Sequence, residues 1–259
     1  MDDPYRGHPL FERGLEVLGE DPFARLDEGT RFQQPALFLC SVAAWDAWRE
    51  EAGEEAAEAV AAAGHSLGEY AALVAAGTLE FDDAVRLVDE RAAAMADAAA
   101  MEPGGMIAFL GGEAHAVASL ARRLGLTVAN DNAPGQLVLS GPLDAIEEAE
   151  ELARDETGAR ARRLDVTGAF HSPLMEPAAA RLASALERTT IHKPNIPVYA
   201  NGTAAPFVDV RRELSENLLK PVRWRETLLA LRAAGIERFV ELGPGAVLTG
   251  MVKRTLQVA

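Results

Sequence analysis

The fold of this chain is decided by the stretch Ala63-Gly64-His65-Ser66-Leu67-Gly68-Glu69-Tyr70, which contains a Gly-x-Ser-x-Gly motif. Residues 60–63 before it are short, apolar and unbroken, as in a buried parallel strand. Residues 67–76 after it are rich in Ala and Leu, and Gly77 provides a helix stop. A serine at such a strand-to-helix turn exposes its hydroxyl beside the free N–H groups of a helix N-terminus. The stretch therefore predicts an α/β fold and a site that can stabilise an oxyanion during acyl transfer.

The bulk composition excludes several classes of protein. The chain has 259 residues, of which 49% are hydrophobic, and a formal net charge of −15. Its length allows one large or two modest domains with a full core. No apolar run reaches the roughly 18 residues of a membrane span, so we expect no membrane association. The negative charge argues against nucleic acid as a partner, and the excess of Arg over Lys fits either a high-salt environment or a GC-rich genome.

The N-terminus, the cysteine and the histidines bear on location and cofactors. The acidic start Met1-Asp2-Asp3-Pro4 does not resemble a signal peptide. The single cysteine, Cys40, excludes an internal disulfide and fits a reducing environment, which predicts a cytoplasmic protein. The five histidines are scattered without the spacing of metal ligands, so we expect no metal.

The order of predicted elements indicates two structural units. Between 103 and 167 the order is β-α-β-β-α-β, which is the ferredoxin-like split motif. We expect this unit to be inserted into a larger α/β unit formed by 1–102 and 168–259, with a mostly parallel sheet flanked by helices. The larger unit is predicted to contain an apolar helix from Pro35 to Trp48, with Pro35 in its first turn, and a strand at 239–241. Residues 130–135 are predicted to be a turn-rich connector between two strands of the inserted unit.

A serine nucleophile requires a base that takes its proton. The candidate is His171 in the segment Gly168-Ala169-Phe170-His171-Ser172-Pro173-Leu174-Met175, where the chain re-enters the larger unit. An isolated histidine is more often structural, so His171 by itself does not establish a catalytic pair.

Two further motifs accompany the serine turn and the histidine segment. They are Pro221-Val222-Arg223-Trp224 and Glu241-Leu242-Gly243-Pro244-Gly245-Ala246-Val247-Leu248. With these four motifs the chain, from about Pro9 to its C-terminus, resembles the malonyl-CoA:acyl carrier protein transacylase family of fatty acid biosynthesis. It is also similar to the acyltransferase domains of polyketide synthases. The resemblance implies an α/β-hydrolase-like core and a monomeric lipid-metabolism enzyme with malonyl-CoA and acyl carrier protein as partners. It implies no cofactor beyond the CoA thioester substrate.

The resemblance also implies catalytic roles for matching residues. Ser66 would carry the malonyl ester, and His171 would be its general base. The backbone carbonyl of Asn217, rather than a carboxylate, would steady the histidine. The N–H of Leu67 would be one oxyanion donor.

Further matching residues would bind the substrate. Arg91 would grip the free carboxylate of malonate, because a guanidinium binds a carboxylate bidentately. Gln34 lies near the pocket in the family pattern, His65 adjoins the nucleophile, and Phe170 resembles the malonyl-selecting form. Asn130 and Asn132, in a loop that recurs near the pocket mouth, are expected to be mainly structural.

One family feature is missing from the printed sequence. The family pattern begins with an apolar strand and Gly-Gln-Gly-x-Gln, whose first Gln supplies the second oxyanion donor, and no Gly-Gln-Gly occurs here. We therefore expect either that the start is placed too late or that the chain is an impaired, truncated form. The alternatives to malonyl transfer are a polyketide-type acyltransferase with another extender unit, a serine esterase, and an inactive remnant that requires a partner to complete its sheet.

Overall fold

The computed structural model describes residues 4–53 and 59–257. The helices are α1 (Pro9–Leu18), α2 (Thr30–Ala52), α3 (Gly68–Ala75), α4 (Phe81–Met101), α5 (Ala114–Arg123), α6 (Leu143–Thr157), α7 (Glu176–Leu186), α8 (Val210–Glu216), α9 (Trp224–Ala233) and α10 (Val247–Leu256). The strands are β1 (Ala62–Ala63), β2 (Gly104–Leu110), β3 (Thr127–Ala133), β4 (Gln136–Pro142), β5 (Arg160–Arg163), β6 (Val198–Ala200) and β7 (Ala205–Pro206). Two 3₁₀ helices span Pro22–Glu28 and Pro173–Met175.

The larger unit packs its helices around a short sheet. β1 pairs in parallel with β6, and β6 pairs antiparallel with β7. The main hydrophobic cluster of this unit contains buried side chains from α2, α3, α4 and α7, such as Phe38, Leu73, Val88 and Leu182. The sheet thus supports the turn that follows β1, and the helices surround it.

The inserted unit has the strand order β3-β4-β2-β5, and every pair is antiparallel. This is the order of a ferredoxin-like split β-α-β unit, as the sequence predicted. Its hydrophobic cluster is separate and includes Ile107, Leu139 and Ile146, from β2, β4 and α6. The boundaries at 103 and 167 remain a prediction.

Three local predictions were wrong. The helix predicted from Pro35 begins at Thr30, so Pro35 lies inside α2 rather than in its first turn. Residues 130–133 are not a connector but the second half of β3, where two register shifts against β4 accommodate them. Residues 239–241 form no strand, because no neighbouring strand among the described residues pairs with them. Instead, the carboxylate of Glu241 accepts hydrogen bonds from the N–H groups of Leu248 (2.9 Å) and Thr249 (2.6 Å), in the first turn of α10.

The two units are joined by a seam along the outer edge of β3. The N–H of Val222 donates to the carbonyl of Ala129 (2.8 Å), and the N–H of Asp131 donates to the carbonyl of Val222 (2.9 Å). The guanidinium of Arg225 binds the carboxylate of Asp131 with two nitrogens, at 2.9 and 2.6 Å. These contacts fix the inserted unit against the segment that precedes α9.

Candidate active site

The serine turn is tight enough to require glycine beside the serine. A Cβ placed on Gly64 would lie 1.9 Å from the carbonyl carbon of Gly68, so the strand and the helix approach too closely for any side chain there. Ser66 has a φ of 52°, a left-handed value that is costly for a residue other than glycine. The N–H of the next residue, Leu67, has no hydrogen-bond partner among the described residues. The turn therefore has the strained form expected of a nucleophile, with a free donor next to it.

Ser66 and His171 lie 105 residues apart in sequence but are in direct contact. The Oγ of Ser66 lies 2.8 Å from Nε2 of His171. The other ring nitrogen, Nδ1, lies 2.8 Å from the carbonyl oxygen of Asn217 and 3.1 Å from that of Lys220. Because a carbonyl only accepts, Nδ1 carries the proton and Nε2 is left to accept the proton of Ser66. The contact with Lys220 was not foreseen from the sequence.

The environment of His171 keeps the ring neutral. The side chain is buried, and burial is the main cause that lowers the pKa of His171 from its usual value to about 4. The positive charge of Arg91 lowers it further. At neutral pH the ring is therefore an unprotonated base.

Arg91 extends from α4 to the serine although it is 25 residues further along the chain. Its Nη2 donates to Oγ of Ser66 at 2.9 Å, and its Nη1 donates to Oε1 of Gln34. Gln34 is in turn fixed by Thr30, whose Oγ1 accepts from Nε2 of Gln34 at 2.7 Å. Thr30 was not identified from the sequence. The guanidinium of Arg91 lies 5.8 Å from the ring centroid of Tyr70, a cation–π arrangement.

The charge of Arg91 has no acidic partner in the described part of the chain. Its side chain is only 3% exposed, and no carboxylate lies within ion-pair distance in residues 4–53 and 59–257. Burial lowers the pKa of Arg91. A buried and unpaired guanidinium is costly, and an anionic ligand group at this position would neutralise it. The geometry therefore favours a substrate with a carboxylate.

His65 faces the inserted unit rather than the serine. Its Nε2 lies 2.7 Å from Oδ1 of Asn132 on β3, and its ring meets the edge of Trp224 with centroids 5.6 Å apart. Asn130 and Asn132 are both buried, so Asn132 links the two units beside the nucleophile. The expectation that Asn130 and Asn132 are mainly structural stays a prediction.

Phe170 is buried directly before the base. His171 has a φ of 57°, so the chain turns sharply between the two residues. The Phe170 ring borders Gly168, where an added Cβ would lie 3.0 Å from a ring carbon. This packing fixes the position of Phe170 next to the catalytic pair.

A buried polar network behind the turn was not recognised from the sequence. The carboxamide of Asn201 accepts a hydrogen bond from the N–H of Ser66 (2.6 Å) and donates one to the carbonyl of Gly64 (2.7 Å). The carboxylate of Glu69 accepts from the N–H of Asn201 (2.7 Å) and from Nδ2 of Asn217 (2.8 Å). The only sequence signal was the position of Glu69 within the motif itself.

Neither a membrane helix nor a metal cluster is found in the part of the chain that the structure describes. None of its helices has the length and apolar character needed to cross a membrane. The described residues also contain no group of three or more His, Cys, Asp or Glu side chains placed to hold a metal ion. The expectation that no metal is required remains a prediction.

Comparison with known proteins places this geometry among acyltransferases. The acyl transferase domain family matches residues 15–259. The malonyl CoA-acyl carrier protein transacylase of Bacillus subtilis is 40% identical over 260 residues, which cover 95% of this chain and 81% of that protein. The crystal structure of MCAT from Streptococcus pneumoniae superposes with a TM-score of 0.90 at 35% identity, covering 99% of this chain and 88% of that one. A complex of the malonyl-transacylase PlMCAT with AntF, a type II PKS acyl-carrier protein, also matches, with a TM-score of 0.90, 35% identity and coverage of 98% and 87%.

Proposed function

Because the chain belongs to the acyl transferase domain family, we propose that it transfers a malonyl group from malonyl-CoA to the phosphopantetheine thiol of an acyl carrier protein, through an ester on Ser66. One observation carries the choice of malonyl: the buried guanidinium of Arg91, without a carboxylate partner in the described residues, lies 2.9 Å from the nucleophilic oxygen. The similar proteins named above support the same donor and acceptor.

The first half-reaction forms the acyl-enzyme. His171 takes the proton of Ser66 at Nε2, and Oγ attacks the thioester carbonyl of malonyl-CoA. The N–H of Leu67 donates to the oxyanion of the tetrahedral intermediate. The C–S bond then breaks, and His171 gives the proton it holds to the departing CoA thiolate.

The second half-reaction reverses these steps with another thiol. The phosphopantetheine thiol gives its proton to Nε2 of His171, and the resulting thiolate attacks the ester carbonyl. Ser66 leaves and recovers the proton. The carbonyls of Asn217 and Lys220 hold Nδ1–H throughout, so the ring keeps the orientation that both proton transfers require.

Arg91 and Gln34 supply the selectivity. The free carboxylate of a malonyl group attached to Ser66 would bind the guanidinium, while Gln34 fixes the guanidinium plane from the opposite side. An acetyl group would leave the buried charge unpaired. A serine esterase gains nothing from such a charge, which disfavours the esterase alternative. Buried Phe170 supports malonyl over a bulkier extender unit.

Exposed arginines on one edge strand offer a docking site for an acidic carrier protein. Three arginines lie close together on β5, namely Arg160, Arg162 and Arg163, and the last is neutralised by Glu150 (2.6 Å) and Glu147 (3.4 Å). Arg160 and Arg162 are exposed on β5, an edge strand, and make no ion pair with any described residue. We therefore place the docking contact at these two residues, because a local positive patch can orient an encounter that the net charge opposes. Another two neighbouring arginines are unsuitable for docking, since Arg223 pairs with Glu226 and Arg225 with Asp131.

We also propose that the protein works in the cytoplasm as part of fatty acid synthesis. The support for the location is its single cysteine, Cys40, which is buried and forms no disulfide.

Intact mass measurement after mixing with malonyl-CoA tests the proposal. We expect one malonyl adduct on the parent protein, none on Ser66→Ala, and an unchanged adduct on the control Ser184→Ala, which alters an exposed serine of α7. An adduct that persists on Ser66→Ala would move the nucleophile elsewhere. Hydrolysis of malonyl-CoA without carrier protein, at the rate of transfer with it, would instead identify an esterase.

A further inference from the structure

Glu69 is a buried carboxylate that the reaction steps above do not use. It lies in the first turn of α3, three residues after the nucleophile, and is 3% exposed. No Lys, Arg or His side chain of the described residues forms an ion pair with it. Within residues 4–53 and 59–257, its oxygens accept hydrogen bonds from two asparagines: from the N–H of Asn201 at 2.7 Å, and from Nδ2 of Asn217 at 2.8 and 3.1 Å. The positive charge of Arg91 acts on this carboxylate only from beyond ion-pair distance. A buried carboxylate without a direct ion pair is expensive, so its retention here calls for a function.

Each of the two asparagines makes a hydrogen bond with one residue of the catalytic pair, Ser66 or His171. The side chain of Asn201 makes hydrogen bonds with both the N–H of Ser66 (2.6 Å) and the carbonyl of Gly64 (2.7 Å), and these bonds stabilise the strained turn. Asn217 presents the carbonyl that accepts Nδ1–H of His171 at 2.8 Å. The Glu69 carboxylate is the group that both asparagines share. Its contacts join chain segments that are 132 and 148 residues apart.

We propose that Glu69 is a positioning residue, whose carboxylate holds Asn201 and Asn217 in the relative placement that brings Ser66 and His171 into hydrogen-bond contact. The inference rests on the proposed function only for the identity of the acyl donor, since any acyl transfer through this pair would need the same alignment. Misplacing reacting groups by about 1 Å can cost about a hundredfold in rate.

Each oxygen of the Glu69 carboxylate faces a hydrogen-bond donor. Nδ2 of Asn217 faces Oε1 at 2.8 Å and Oε2 at 3.1 Å. In Glu69→Gln, an oxygen at the Oε1 position can still accept from Asn201 and Asn217, but the new NH₂ group at the Oε2 position would face the NH₂ group of Asn217. Two donors repel at that distance, so Asn217 and the carbonyl on its backbone would shift. Burial is the main cause that raises the pKa of Glu69 to about 7, and the charge of Glu213 adds to it. The hydrogen bonds from the two asparagines and the positive charge of Arg91 oppose this rise.

The chain offers a matched control in Glu213, which is also buried. Its Oε1 accepts from the N–H groups of Val208 (2.9 Å) and Asp209 (2.8 Å), and its side chain makes no hydrogen bond with Asn201 or Asn217. Glu213→Gln therefore removes a buried carboxylate that caps α8 and makes no contact with the catalytic pair. The negative charge of Glu213 raises the pKa of Glu69, so removing it leaves the Glu69 carboxylate ionised. Because the glutamine oxygen can still accept from Val208 and Asp209, this variant should fold and leave both rates unchanged.

The test measures two rates on folded protein, with the melting temperature of each variant. One is the acylation rate at saturating malonyl-CoA, with the KM. The other is the rate at which phenylmethylsulfonyl fluoride modifies Ser66, which needs an activated serine but no malonyl group. For Glu69→Gln we expect both rates to fall about ten- to a hundredfold, with the KM changed less than about threefold. Glu69→Asp, which restores the acceptor one methylene shorter, should recover part of both rates.

Each outcome decides between defined possibilities. Parent rates in Glu69→Gln, or losses that match those in Glu213→Gln, would overturn the positioning role. If Glu69→Gln does not fold, Asn217→Ser tests the same link, because it keeps the backbone carbonyl and removes the amide that Glu69 holds; parent rates there would also overturn it. If the parent takes no malonyl adduct but its sulfonylation is slowed by Glu69→Gln, the proposed function fails and the positioning role stands.

Discussion

Replacing Arg91 by alanine should convert a site that selects malonyl into one that scarcely distinguishes malonyl from acetyl. In the structure Arg91 is buried, is held by Gln34, and directs its second guanidinium nitrogen at the oxygen of Ser66, at 2.9 Å. In Arg91→Ala the carboxylate of a bound malonyl group would be buried without a partner. An acetyl group carries no charge at that position, so the kcat/KM for acetyl-CoA should change little.

The size of the effect follows from the burial. Breaking a buried ion pair by removing one partner costs about 3–5 kcal/mol. At about 1.4 kcal/mol for each factor of ten, this corresponds to a loss of about two to three and a half orders of magnitude in kcat/KM for malonyl-CoA. The kcat/KM of Arg91→Lys for malonyl-CoA should lie between those of the parent and of Arg91→Ala, because an ammonium keeps the charge but loses the bidentate geometry.

The measurement is the ratio of kcat/KM for malonyl-CoA to that for acetyl-CoA. Arg86→Ala is the control, since Arg86 lies on the same helix, is 60% exposed, and pairs with Asp83 at the surface. The control should leave the ratio unchanged. If Arg91→Ala also leaves the ratio unchanged, while both activities persist, the guanidinium does not recognise the carboxylate and the choice of malonyl loses its main support.

Two further predictions concern pH and docking. Because the pKa of His171 is lowered from 6.5 to about 4, kcat/KM should rise with pH through about 4 and then level off. Between pH 6.5 and 4 the unfolded chain binds a proton at His171 that the folded chain does not, so the free energy of unfolding should fall by up to about 3 kcal/mol as the pH drops through this range. Urea unfolding should show a weaker pH dependence for His171→Gln than for the parent. If the free energy of unfolding changes equally with pH in both proteins, His171 is not the source of the dependence. Replacing Arg160 and Arg162 by Glu should raise the KM for acyl carrier protein but not the KM for malonyl-CoA. The control Arg122→Glu, at the exposed end of α5, should change neither KM. Equal effects on both KM values would exclude Arg160 and Arg162 as the docking site.

The sequence by itself determined the local elements around the nucleophile. A short apolar strand, Gly64 and an Ala-rich helix are local signals, because the turn depends on φ values and on the absence of a Cβ at close approach. The inserted unit was also predictable, since its strands and helices follow one another in sequence and pair with near neighbours. The roles of Ser66, His171 and Arg91 came from the resemblance of motifs, and the family comparison supports the enzyme class.

The sequence was least informative where a residue's state depends on a distant partner. Residues 130–133 were predicted to be a connector, yet they form strand because β4 and Val222 supply hydrogen-bond partners. Residues 239–241 have strand-forming side chains, yet they lack a paired neighbour in the described chain. A strand exists only with its ladder, so its side chains alone do not determine it.

Only the tertiary structure decided how the catalytic groups are held. The Ser66–His171 contact spans 105 residues, and the links from Glu69 to Asn201 and Asn217 span 132 and 148. No periodicity or spacing encodes such pairs, because they arise when separate elements pack against one another. The burial of Arg91 without an ion pair to any described carboxylate, with Glu69 acting on it only from a distance, is likewise a property of the packed interior. The sequence thus determined which chemistry is present, and the packing determined which groups are charged, buried and aligned to perform it.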